Sequence, residues 1–173
     1  MASLIQPANW GRVQIAKINV SGVPTYTSPS WIAGQYSQII IDIDGAFSGG
    51  GYLDFRANND TAIANYVDFG IDASSAVTAD PAFKTEGGAR CGVVVTSGAA
   101  WHDHIVFNPL TTGRVRHGRS HGTTDAPGAG IATGTVRSTG FLWRDTATDV
   151  TFFTLATQAG TMTAAGYVWG ILA

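Results

Sequence analysis

Apolar and polar side chains alternate with a period of two along most of this chain, and helical periodicity is hard to find. In residues 36–44 (YSQIIIDID), Ile39, Ile41 and Ile43 fall on one face, while Asp42 and Asp44 share the other with Ile40. In 52–57, Leu53 and Phe55 alternate against Tyr52, Asp54 and Arg56. Further strands are predicted at 13–20, 65–72, 91–96, 104–108, 135–144, 149–157 and 166–172. Turn-rich stretches such as 47–51 (FSGGG) and 122–130 (GTTDAPGAG) separate them. Roughly eight to ten short strands at this spacing predict an all-β chain, an antiparallel, jelly-roll-like β-sandwich, and argue against βαβ units.

Residues 11–173 are expected to form that single sandwich domain, with 1–10 (MASLIQPANW) as an apolar N-terminal arm suited to docking. Two segments fit the alternation less well. Residues 73–88 suggest a long loop or a short helix, and 58–64 a long turn between two strands. Residues 117–133, the richest in Gly, Ser and Thr, suggest a long loop.

Charged residues make up only 13% of the 173, where about a quarter is usual, although 45% are hydrophobic. Soluble monomers commonly carry more surface charge, so other subunits are expected to cover part of this surface. Apolar strand faces that need covering favour a symmetric homo-oligomer, a trimer above all. A net charge of −2 argues against nucleic acid held by bulk charge. The one cysteine, Cys91, precedes an apolar run and reads as a small buried hydrophobe. The N-terminus lacks the basic and apolar regions of a signal peptide, and no apolar stretch reaches the roughly 18 residues of a membrane span. Synthesis in the cytosol, and assembly from there, is the expectation.

The most conspicuous run is 113–122 (GRVRHGRSHG), which concentrates Arg114, Arg116, His117, Arg119 and His121. On an extended segment Arg114 and Arg116 point the same way. Arginine forks there suit an acidic sugar, a phosphate or an acidic neighbouring subunit. A solvated hairpin whose arginines pair with nearby carboxylates is the plainer alternative. His102 and His104 (WHDH) share one strand face and would suit zinc, with His117 and His121 to complete a site, but no third ligand stands at a diagnostic spacing. No cofactor is expected. Catalysis finds little support: there is no nucleophile elbow or phosphate loop, Glu86 is the only glutamate, and Asp42, Asp44, Asp54 and Asp68 look like solvent-side positions. Trp10, Trp31, Trp101, Trp143 and Trp169 suit a core, or sugar stacking if exposed.

The order of features resembles a family of small bacteriophage structural proteins with a β-sandwich fold, of the tail-fibre or minor virion component type. The similarity lies in YSQIIIDID at 36–44, GGGYLDFRANND at 49–60, Asn65–Tyr66 ahead of another strand, and GTMTAAGYVWGI at 160–171. It implies structural roles for Asn58 and Asp60 in a tight turn and for Tyr66 at the start of the next strand. It also implies a non-catalytic virion protein at the surface of tail or capsid, as tail fibre or capsid decoration. Its partners would be other virion proteins and, in addition, a host-surface glycan. The alternative is a glycan-binding β-sandwich module, which predicts a groove with at least two exposed Trp or Tyr near 114–121.

Overall fold

The computed structural model describes residues 11–73, 77–80, 87–95, 98–109, 112–125 and 135–173. The regular elements are β1 (Arg12–Val23), β2 (Thr25–Thr27), β3 (Tyr36–Phe47), β4 (Gly51–Ala57), β5 (Tyr66–Ala73), β6 (Val77–Asp80), β7 (Ala89–Val95), β8 (Ala100–Phe107), β9 (Arg116–Asp125), β10 (Thr135–Trp143), β11 (Phe153–Thr157) and β12 (Met162–Leu172), with one 3-10 turn at Ile63–Asn65. No helix among the described residues is long and apolar enough to cross a membrane.

The strands form two antiparallel sheets, as the alternation predicts. The larger has the order β1-β12-β3-β8-β9-β10-β5-β6, with the four-residue β6 outermost, and the smaller the order β2-β11-β4-β7. The pairs β1/β2, β3/β4, β7/β8 and β11/β12, each consecutive in sequence, step from one sheet to the other. The β5–β6 and β9–β10 hairpins widen the larger sheet beyond β8.

The alternation in β3 does what it predicts. Ile39, Ile41 and Ile43 are fully buried against the smaller sheet, and Gln38, Ile40, Asp42 and Asp44 lie on the opposite face. Phe55 from β4 anchors the core, with ring centroids 4.8 Å from Phe107, 5.4 Å from Phe141 and 5.5 Å from Phe153. Gly118 makes room for this cluster, because a Cβ there would collide with the Phe141 ring. Cys91 is fully buried.

Several expectations change. The described strands number twelve, because β2 is only three residues long, β6 falls in the segment expected to be loop or helix, and β9 occupies the first half of the expected long loop. The strand expected at 149–157 begins only at Phe153. Asp54 and Asp68, expected at the solvent side, are each only 2% exposed. Asp68 Oδ2 accepts the Arg90 backbone N–H at 2.8 Å. Fully buried Arg137 donates to Thr139 Oγ1 at 2.9 Å and to the Tyr52 hydroxyl at 3.1 Å. Paired polar groups tolerate such burial; unpaired ones do not. The arm at 1–10, with Trp10, lies outside the described residues, as do 126–134 and Glu86.

The turn at 58–66 is tied tightly. Asn58 and Asn59 adopt φ of 50° and 55°, the left-handed region that Asn tolerates better than most residues. The Asn58 side chain accepts from the Thr151 N–H at 2.9 Å and donates to the Asp149 carbonyl at 2.7 Å. Asp60 accepts the Ala62 N–H at 2.8 Å on one oxygen, and both Asn65 Nδ2 and Trp143 Nε1 at 2.7 Å on the other. The Tyr66 hydroxyl donates to the Asp60 carbonyl and accepts the Ala57 N–H, each at 3.1 Å. Burial, then the charge of Asp60, pushes the phenol pKa up, which keeps it a donor. Asp60→Ala strands the indole N–H of Trp143, which is only 1% exposed. The expected cost is about 3 kcal/mol in denaturant unfolding, with Asp60→Asn losing less because one carbonyl acceptor remains.

Candidate partner-binding surfaces

The 113–122 run does not form one basic patch. Arg114 is exposed in the turn before β9, whereas Arg116 opens the strand and points inward, fully buried. Its guanidinium lies 5.0 Å from the Trp143 ring centre and donates to the Asp145 carbonyl and, at 2.7 Å, to the Thr148 carbonyl. Arg116 therefore pins the loop after β10. Along β9, His117, Arg119 and His121 face outward; Gly118, Ser120, Gly122 and Thr124 face the interior.

All four histidines consequently share the outer face of the larger sheet. His104 stands opposite His121 on one side and Asp42 on the other, and His102 stands opposite Asp44 and Thr123. His104 Nδ1 lies 2.5 Å from Asp42 Oδ1, and His102 Nδ1 lies 2.7 Å from Asp44 Oδ1. Arg12 reaches Asp42 at 3.5 Å and stacks over Trp169 at 4.5 Å, beside Tyr167. This ties β1, β12, β3 and β8 into one polar band. Among the described residues, no three His, Cys, Asp or Glu side chains are grouped so as to hold a metal ion.

The aromatic residues divide as well. Trp31, Trp101 and Trp143 are buried, and Trp169 is half-buried on the outer face beside Tyr167, which is 42% exposed. Trp169 and Tyr167 stand three strands from β9, about 14 Å at the usual strand spacing. A groove with two exposed Trp or Tyr beside 114–121 is thus not what the described residues form. Phe69, missed in the sequence, is the exposed ring near β9, at 61%.

A second surface lies at one end of the sandwich. There the segments 28–35, 58–65, 112–115 and 144–152 meet, joined by hydrogen bonds from Trp31 to Thr151, Thr112 to Asp149, Gly113 to Thr146 and Arg144 to Asn65. This ordered end exposes Ile32 at 77%, Ile63 at 50% and Val115 at 44%, together with Arg114. Apolar side chains exposed together at one ordered end make that end a candidate contact surface.

Comparison with known protein families, with curated proteins and with solved structures finds no match to this chain. The surfaces above are therefore interpreted from their own chemistry.

Proposed function

We propose that this protein is a non-catalytic structural component of a bacteriophage particle, at the surface of tail or capsid, built as a jelly roll and working as a homo-oligomer. The observation that carries the reading is the strand order. β1-β12-β3-β8 faces β2-β11-β4-β7, and among these eight strands each step along the chain crosses to the other sheet except that from β4 to β7. That is the arrangement expected of a two-sheet jelly roll, an architecture common in viral capsid and lectin domains. The β5–β6 and β9–β10 hairpins are then additions that widen one sheet.

The loop end with Ile32, Ile63 and Val115 is the natural contact between copies or with other particle proteins, in keeping with a chain that is only 13% charged. Size-exclusion chromatography with light scattering should give a multimer, a trimer above all. The double variant Ile32→Glu, Ile63→Glu should give a folded monomer, because burying two carboxylates in an apolar contact is costly. A parent chain that stays monomeric at assay concentration, and does not copurify with particles, would overturn the reading. The second reading, a glycan-binding module, gains support from the notch beside Arg119 described next.

A further inference from the structure

Arg119 projects from the middle of β9 on the outer face of the larger sheet, and its guanidinium makes no hydrogen bond or ion pair among the described residues. Asp42, an acid on the same face, is already held by Arg12 at 3.5 Å and by His104 at 2.5 Å. Beside Arg119 a shallow notch is lined by Gln38, Val106, Asn108 and His117 around the Gly118 backbone. Gln38 Nε2 donates to Asn108 Oδ1 at 3.3 Å, and Asn108 Nδ2 donates to His117 Nε2 at 2.6 Å. An accepting Nε2 places the proton of the neutral ring on Nδ1, and the two amides are fixed in one orientation. The polar wall is pre-arranged.

An exposed aromatic ring lies beyond the notch on the same face. Phe69 on β5 is in register with Gly140 on β10, and Gly140 is in turn opposite Arg119. A Cβ on Gly140 would meet Phe69 Cζ at 2.5 Å, so the tip of the ring reaches over β10 at the glycine. It stays 61% exposed there. An arginine fork without a partner among the described residues, two oriented amides and a histidine therefore line one notch, with an exposed ring two strands from Arg119 on the same face.

We propose that this notch binds the carboxylate-bearing ring of an acidic saccharide. Arg119 takes the carboxylate in its planar fork. Gln38, Asn108 and His117 exchange hydrogen bonds with ring hydroxyls, and Phe69, two strands from Arg119, packs against the C–H face of a neighbouring ring of the oligosaccharide. A single unpaired cation among neutral amides suits one carboxylate better than the multiple charges of a phosphate chain. The site does not depend on assembly, since it lies on the sheet face and not at the loop end.

The test is an NMR titration of the intact chain with a galacturonic acid tetrasaccharide, its methyl ester and inorganic phosphate. Shifts are expected at Arg119, His117 and Phe69 with the acid, and binding at least about tenfold weaker with the methyl ester, which keeps the ring and removes the charge. Arg119→Gln should weaken the acid by a similar factor while leaving the ester unchanged, with Arg119→Lys in between. Phe69→Ala should weaken both. Equal binding of acid and ester, or phosphate binding that needs Arg119 and ignores Phe69, would overturn the proposal. A monomer that binds the acid removes the assembly reading alone; a multimer that does not bind it removes this site alone.

Discussion

Asp103→Asn is expected to be more stable than the parent chain at about pH 9, by several kcal/mol, and to match it near pH 4. Asp103 lies on the inner face of β8 with no exposure, and neither carboxylate oxygen has a hydrogen-bond partner among the described residues. Gly92 on β7, with φ of 67°, leaves the room it occupies: a Cβ there would stand 2.9 Å from Asp103 Oδ2. Burial pushes the carboxyl from 3.8 up to about 8, and the nearby His104 backbone N–H pulls it back without forming a well-shaped hydrogen bond. The unfolded chain releases this proton near pH 4 and the folded chain only near pH 8. Between those values the folded state holds one more proton, so stability falls as pH rises and levels off above about 8. At about 1.4 kcal/mol for each pH unit across that window, the loss has a ceiling on the order of 5 kcal/mol. Asp145 titrates with the opposite sign. Hydrogen bonds from the Thr148 side chain and from backbone N–H groups hold it below 3.8, so its contribution is lost only as pH falls below about 4, outside this window. Urea unfolding across pH 4 to 9 measures the slope. Parent and variant curves that run parallel throughout would show that Asp103 does not titrate inside the fold.

Asp103 also illustrates what the sequence could and could not convey. Alternation located β3, β4 and β12 because their inward positions are apolar or glycine, as with Ile39, Ile41 and Ile43, whereas β8 turns Asp103 inward between Trp101 and Ile105. β9 escaped because its inward positions are Arg116, Gly118, Ser120, Gly122 and Thr124, so hydrophobicity does not alternate there. Small residues alternating with His117, Arg119 and His121 were the available signal, a period-two pattern in size and not in polarity. Alternation places Asp54 and Asp68 at the solvent side, yet both are buried, Asp68 accepting the Arg90 N–H of β7 and Asp54 lying 3.8 Å from Arg56 of its own strand. The Phe69–Gly140–Arg119 row was invisible because it depends on the register of three strands separated by loops of unequal length. In the turn at Asn58, Asp60 and Tyr66, Asp60 was the legible part, since it accepts the Ala62 N–H two residues on, whereas Asn58 bonds across the sandwich end to Asp149 and Thr151.

Phe55→Ala is expected to cost about 4 kcal/mol in denaturant unfolding and to lower the midpoint of thermal unfolding by roughly 10 °C. Phe55 has no exposed surface and touches rings from three other strands: Phe107, Phe141 and Phe153. Because Phe107 and Phe141 belong to the larger sheet and Phe55 and Phe153 to the smaller, truncation opens a cavity at the seam between them. Three fixed rings on separate strands cannot collapse into that space without moving backbone, so most of the cavity cost is retained. Phe55→Leu, which fills part of the space, should lose less than half as much. Phe69→Ala is the informative contrast: the ring is 61% exposed, and its loss should change stability by under about 1 kcal/mol. If Phe69→Ala destabilised as much as Phe55→Ala, the Phe69 ring would be a packing element and its role beside the saccharide notch would need replacing. A Phe55→Ala cost below about 1 kcal/mol would mean that the sheets do not pack through this cluster.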